Sequence, residues 1–281
     1  MTAVVQHALG EAMRRLAAAG VPEPRADAEV LLAHALGTDR VGVVVRATQA
    51  MDPAAAERFE AFMARREARE PVGYIVGTRE FWSLSLGVDR RVLIPRPETE
   101  LVVETALRVA PRARRILDVG TGSGAIAIAL SRELPAAEVV ATDRMAPAVA
   151  AAAENRDRLG PRVRLVRADL VQAFRDRAFD LVVSNPPYCA EGTVLQAEVR
   201  DWEPGSALYA GPDGLGVLRQ LVRDAARVLA PGGWLVMEMG IGQADAVTER
   251  IRTDGRYADV VVQRDPAGID RVVAAQRRGG S

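Results

Sequence analysis

Lysine is missing from this chain altogether, and all 37 basic residues are arginine. That excludes a phosphate loop of the Gly-Lys-Ser/Thr kind and any Schiff-base chemistry. Cysteine is nearly missing too: Cys189 stands alone, so an internal disulfide and a cysteine-rich zinc site are ruled out. With no histidine near it in sequence, Cys189 is also a poor nucleophile. The only histidines, His7 and His34, lie in an alanine-rich stretch that reads as helix and offers too few ligands for a metal. No apolar run approaches the roughly 20 residues of a membrane span, and the opening Met1-Thr-Ala-Val-Val-Gln-His7 lacks a charged-then-apolar leader. These features predict a cytoplasmic protein without membrane contact. Excess charge is absent as well, since 37 acidic residues balance the basic ones. Broad phosphate neutralisation, and with it direct nucleic-acid binding, is therefore not expected.

What is present is a chain of 281 residues, 49% hydrophobic, enough for two bodies with real cores. Val5, Leu9, Met13 and Leu16 recur at helical spacing up to Gly20. A second helix carries Val30, Leu31, Ala35 and Leu36 to Gly37, and a third runs from Asp52-Pro53 to about Arg69 with Phe59, Phe62 and Met63 inward. The spacing predicts a helical bundle over 1–72. Over 73–96 the period becomes two: Trp82, Leu84, Leu86 and Val88 alternate with small residues, and Val92 to Ile94 is the expected partner strand after a turn at Asp89-Arg90. From 97 to 281 strands and helices alternate, with strands at Ile116 to Val119, Val139 to Thr142, Val163 to Val166, Leu181 to Val183 and Trp234 to Met237. Such alternation predicts an α/β fold, a Rossmann-like parallel sheet with helices on both faces. The last two strands, Asp259 to Gln263 and Arg271 to Ala275, have no helix between them and should be antiparallel.

Two stretches carry chemistry. In Asp180-Leu-Val-Val-Ser-Asn-Pro-Pro-Tyr188 two prolines stop a buried strand abruptly. The Asn185 side-chain oxygen and the Pro186 carbonyl can accept both hydrogens of a planar NH₂, Pro187 stiffens the turn, and Tyr188 can stack on the flat face. That is a socket for an amide or a nucleobase amine. In Leu117-Asp-Val-Gly-Thr-Gly-Ser-Gly124 the alternating glycines allow close backbone approach and present amides at a helix start, as an anion site needs. With Ala125 the loop also satisfies the dinucleotide fingerprint, so a nicotinamide oxidoreductase competes with a nucleoside site. Asp143, ending the second strand, suits ribose hydroxyls, and Asp169, ending the third, suits an adenine amine. Arg96, between Pro95 and Pro97, either belongs to a capped helix start or is presented to a ligand. Arg156, Arg158, Arg162, Arg164 and Arg167 form the one basic run, read as a solvated face.

Leu93-Ile-Pro-Arg-Pro-Glu-Thr-Glu100, Asp118-Val-Gly-Thr-Gly-Ser-Gly124 and Asn185-Pro-Pro-Tyr188, in this order behind a helical region, resemble the release-factor glutamine methyltransferases (HemK/PrmC). The resemblance continues through Val199 to Leu208, Met237-Glu-Met-Gly-Ile-Gly-Gln243 and Asp265-Pro-Ala-Gly-Ile-Asp-Arg271. It implies a class I methyltransferase fold over 97–281, a helical substrate-recognition domain over 1–72 and a β-hairpin linker over 73–96. It further implies S-adenosylmethionine as cofactor and, as partner, a class I peptide chain release factor whose Gly-Gly-Gln glutamine is methylated by a monomeric enzyme. By the same resemblance Gly120, Thr121, Gly122, Ser123, Gly124, Asp143, Asp169, Leu170 and Asn185 would contact the cofactor. Asn185, Pro186, Pro187 and Tyr188 would hold the glutamine, with Asn185, Pro186 and Tyr188 catalytic and no metal required. Some members carry an aromatic where this chain has Leu170, which offers the adenine no ring to stack on. The Asn-Pro-Pro-Tyr motif is shared with adenine and cytosine amino-methyltransferases, the alternative reading.

Overall fold

The computed structural model describes residues 4–279. In chain order its first elements are α1 (Val5–Ala18), α2 (Pro24–Leu36), α3 (Arg40–Val45), α4 (Pro53–Glu67), α5 (Val72–Val76), β1 (Thr78–Phe81), β2 (Leu84–Gly87) and α6 (Glu100–Val109). There follow β3 (Arg115–Val119), α7 (Ala125–Glu133), β4 (Glu138–Asp143), α8 (Ala146–Leu159), β5 (Val163–Arg167), β6 (Phe179–Ser184) and α9 (Ala197–Trp202). The chain closes with α10 (Gly216–Val228), β7 (Leu229–Glu238), α11 (Ala244–Asp254), β8 (Tyr257–Arg264) and β9 (Asp270–Arg277). Two compact units result: the chain up to Thr78 joined by Leu195–Trp202, and Arg79–Val194 joined by Glu203 onward.

The first unit is helical. Asp52 caps α4 by accepting from the Ala55 N–H (3.2 Å) with Pro53 at the first helical position, and Gly37 at φ 63° ends α2, as proline-in, glycine-out punctuation requires. Leu16, Leu31, Leu32, Phe59 and Met63 fill its core. The helix α9 joins this unit from far along the chain, held by charge. Buried Arg66 donates to Asp27 (2.8 Å) and to Glu198 (2.8 Å), and Arg69 to the other oxygen of Glu198 (2.6 Å). Burial would raise the Glu198 carboxyl, but the Arg69 and Arg66 guanidiniums outweigh it and hold it down at about 2.

The hairpin is real but lies earlier than its pattern predicts. The strand Leu84–Gly87 pairs with the preceding Thr78–Phe81, not with Val92 to Ile94, which belongs to no strand and has Val92 and Ile94 buried. The turn is Trp82-Ser83, both at positive φ (52° and 55°), the geometry of a tight hairpin turn normally given to Asn-Gly. Here the Trp82 N–H donates to Glu100 Oε1 (2.7 Å) and its indole N–H to Glu133 Oε1 (2.8 Å), which compensates the strained backbone. The start of the expected linker is instead the short helix α5.

The second unit is built on a seven-stranded sheet of order β5-β4-β3-β6-β7-β9-β8. Strands β5 to β7 are parallel, and β9 runs antiparallel to both its neighbours. Alternation sorts side chains to two cores: Ile116, Val139, Leu181 and Val183 pack beneath α6 and α7, while Leu117, Val119, Val140 and Val182 pack beneath α10 and α11. The strand order reverses at β3, whose neighbours are β4 and β6. In open parallel sheets the carboxyl ends beside such a reversal form the ligand crevice.

Candidate active site

A cavity of about 240 Å³ opens at that point, within the second unit, and its walls include Gly120, Thr121, Gly122, Ser123, Asp143, Asp169, Leu170, Asn185 and Pro187. The register explains the meeting. Val119 pairs with Ser184, and the Ser184 hydroxyl donates to the Val119 carbonyl at 2.7 Å, so the glycine loop and Asn185 leave adjacent strands side by side. Pro186 is buried behind the wall, while Gly124 and Tyr188 also lie off the cavity.

The glycines divide by role. A Cβ built on Gly120 (φ 73°) or Gly122 (φ 54°) would meet no protein atom within 4 Å, whereas one on Gly124 (φ 86°) would sit 3.1 Å from Ile128 Cδ1. The first two open toward a ligand, and the third lets α7 pack. The anion reading of the loop needs correction. The Gly120 and Thr121 amides donate to the Thr142 carbonyl (2.9 and 2.8 Å), Gly122 to Asp143 Oδ2 (3.1 Å) and Gly124 to the Thr121 carbonyl (2.8 Å). Amides already bonded within the chain cannot cradle a pyrophosphate, which weighs against a dinucleotide.

Two acids, Asp143 and Asp169, and two arginines, Arg91 and Arg144, line the cavity. Asp143 accepts from Gly122 and, through Oδ1, from the Met145 N–H (2.9 Å), and burial raises its carboxyl. Asp118 lies under the loop, only 1% exposed; Thr121 donates to its Oδ2 at 2.7 Å, and its Oδ1 has no partner. Burial pushes it up to about 7. Asp169 is exposed, 3.4 Å from the Gln172 amide, and Leu170 beside it adopts φ 46°. Two acceptor acids on the wall, Asp143 and Asp169, and two open glycines suit a ligand bearing hydroxyl and amine groups.

On the other wall the Asn185 Nδ2 donates to Thr99 Oγ1 (3.0 Å), the Thr99 hydroxyl to Glu238 Oε2 (2.7 Å) and the Tyr188 hydroxyl to Glu238 Oε1 (3.1 Å). Burial raises the Glu238 carboxyl, against these hydroxyl bonds and the charge of Arg271. Gln243 donates to the Tyr188 carbonyl (2.9 Å) and accepts from the Gly240 N–H (2.8 Å). Arg96 is answered: it donates to Glu203 (2.5 Å), which also accepts from the Ile94 N–H (3.2 Å), so it pins its own segment to the loop that begins at Glu203. Burial raises the Cys189 thiol, which weighs against it as a nucleophile. In the basic run, Arg158 donates to the Ser85 carbonyl (2.6 Å) and Arg167 to that of Arg144 (3.2 Å). Thr99, Glu238, Glu203 and Gln243 were not assigned from sequence; the signal available was an acid ending the otherwise apolar run Trp234 to Met237.

The sheet order and the crevice at its reversal define a Rossmann-like α/β fold with its ligand site at the carboxyl ends of the strands. Solved structures share the fold. A methyltransferase from Pyrococcus furiosus matches with a TM-score of 0.55 at 18% identity, covering 79% of this chain and 98% of that one. A T. thermophilus 16S rRNA N2 G1207 methyltransferase, in complex with AdoMet and guanosine, matches at 0.51 and 20% identity, covering 72% and 50%. The PrmC N-terminal domain family matches residues 7–77 and the methyltransferase small domain 97–201. Release factor glutamine methyltransferases from Geobacter sulfurreducens (46% identical, 93% of this chain and 92% of that protein) and Moorella thermoacetica (45%, 98% and 99%) are similar over nearly full length. The chain belongs to the release factor glutamine methyltransferase family. Among the described residues no helix is long and apolar enough to cross a membrane.

Proposed function

We propose that this protein transfers a methyl group from S-adenosylmethionine to the side-chain amide nitrogen of the glutamine in the Gly-Gly-Gln motif of class I peptide chain release factors. The observation that carries this reading is the meeting of the glycine loop and Asn185 in one cavity, with the Asn185 NH₂ tied back to Thr99. The residues fit the cofactor: Gly120 and Gly122 leave room for it, Asp143 and Asp169 can accept from hydroxyl and amine groups, and Leu170 offers aliphatic contact. S-adenosylmethionine supplies an activated methyl whose bond to sulfur breaks as the bond to nitrogen forms.

The chain's own residues make the amide nitrogen competent. An amide lone pair is delocalised into its carbonyl, so the nitrogen is a weak nucleophile. The Asn185 oxygen accepts one of its hydrogens, and the carbonyl of Pro186, a residue that itself lies off the cavity lining, is the proposed acceptor of the other; both raise electron density on nitrogen and favour the positive charge that develops there. Alignment does the remainder, since the strand ends fix the acceptors before the substrate arrives. The nitrogen loses a proton after transfer. Recognition of the release factor belongs to the helical unit, whose converging Asp27, Arg66, Glu198 and Arg69 are bonded to one another, and the enzyme acts as a monomer. Mass spectrometry of a release factor incubated with the protein and labelled S-adenosylmethionine tests this. One labelled methyl on that glutamine is expected; label elsewhere, or none, would overturn the reading.

A further inference from the structure

The socket has an orientation problem: the two ends of the Asn185 amide are nearly the same shape, yet only the oxygen can receive a substrate hydrogen. The hydrogen bonds behind the cavity solve it. Glu238, 2% exposed, accepts through one oxygen from Thr99 and through the other from Tyr188. Two hydroxyl donors and the charge of Arg271 favour the ionised form of Glu238 against its burial; an ionised carboxylate can only accept, and a threonine hydroxyl has one hydrogen. With that hydrogen directed at Glu238, Thr99 has only a lone pair left to offer Asn185. The NH₂ of Asn185 must then turn to Thr99, as it does at 3.0 Å, and its oxygen must face the cavity.

We propose that Glu238, acting through Thr99, is a positioning residue that fixes the Asn185 amide with its oxygen toward the substrate. This deepens the methyl-transfer reading and rests on it. The chain of donors has one polarity, set by the buried carboxylate at its end. If the hydroxyl hydrogen of Thr99 were released, it could go to Asn185 Oδ1, the amide would turn over, and two NH₂ groups would confront each other in the socket. The site would keep its shape and lose its acceptor.

Five variants and one spectroscopic signal test this. Thr99→Ser keeps the hydroxyl and should keep turnover within about threefold, whereas Thr99→Val keeps the shape without it and should lower kcat by roughly tenfold or more, with KM and cofactor affinity near the parent's. In Glu238→Gln the new NH₂ can point at Tyr188 and spare Thr99. In the double variant Glu238→Gln with Tyr188→Phe that escape is closed, so the double variant should fall well below Tyr188→Phe alone. The Asn185 side-chain NH₂, observed by NMR in the absence of substrate, should be protected from solvent exchange in the parent and in Thr99→Ser, and lose protection in Thr99→Val. Thr99→Val at parental kcat with protection intact, or a double variant equal to Tyr188→Phe, would overturn the proposal. Should Thr99→Val fail to melt like the parent, the double variant decides. A parent that leaves the release factor unmethylated overturns the function instead, while the NMR signal still reads the orientation.

Discussion

Glu198 of the helical unit and three acids of the sheet unit are treated in opposite ways, although paired acids also occur in the sheet unit, as Glu203 with Arg96 and Asp265 with Arg271. In the helical unit Glu198 lies between two arginines and is held at about 2. In the sheet unit Asp118, Asp143 and Glu238 are met by hydroxyls and backbone amides, and burial raises all three. Paired charges that satisfy each other hold a structure in place, while acids left short of a cation are costly unless something else uses them. One oxygen of Asp118 has no partner at all. The contrast separates an acid that braces from acids that are poised.

The sharpest way to break the contrast is at its braced end. Glu198→Ala leaves buried Arg66 with Asp27 alone and Arg69 without its carboxylate, and should cost on the order of 3 kcal/mol in chemical denaturation. Because the Glu198 carboxyl is depressed from 4.5 to about 2, its stabilisation is complete above its unfolded value and is lost as pH falls toward 2. Parent and variant stabilities should therefore converge in acid. Curves that stay parallel down to that pH would mean the pairs contribute nothing. At the poised end, Asn185→Ala removes one acceptor and should lower turnover about a hundredfold; methylation of a release factor at the parent rate would show that Asn185 is not catalytic. Next in size, Asp143→Ala removes a charged acceptor and should weaken cofactor binding by about 1.5 to 3 kcal/mol. Calorimetry showing unchanged affinity would place the ribose elsewhere.

How far the sequence reaches follows the same division. Periodicity located the bundle and the alternating strands because burial on one face, or on both, leaves a pattern in the chain. It misplaced the hairpin partner because the Trp82-Ser83 turn lacks glycine and is stabilised by Glu100 and Glu133, which lie far along the chain. The short α3, α5 and α9 were missed for a related reason: α9 is held by Arg66 and Arg69, more than a hundred positions away. At the site, the residues that a motif names could be read, and those that serve them through space could not. Nothing adjacent in sequence ties Glu238 to Thr99, or Gln243 to the Tyr188 carbonyl. Sequence does not show that the Gly120, Thr121 and Gly122 amides are already bonded to Thr142 and Asp143, which narrows the anion reading of the glycine loop to the remaining amides.

Tyr188 gives the smallest effect and the finest discrimination. Its sequence role was to stack on a planar group, but its ring packs against the second core beside Gly240, where an added Cβ would come within 3.1 Å of it, and its hydroxyl holds Glu238. If stacking on the substrate is the role, Tyr188→Phe preserves it and turnover is unchanged. If the ring is a prop and the hydroxyl a tether for the carboxylate, Tyr188→Phe removes one of the two hydroxyl bonds to a buried acid. A bond to a charged group contributes about 1.5 to 3 kcal/mol to stability, and only part of that should reach the reaction, because Thr99 still holds the other oxygen. A decrease in kcat of about threefold to tenfold is therefore expected, with KM little changed. Tyr188→Ala should do more, since it also empties the space beside Gly240 and frees the turn that Asn185 begins. A Phe variant at parental kcat, paired with a severe loss in Ala, would restore stacking as the role of Tyr188 and leave Thr99 as the hydroxyl on which the site depends.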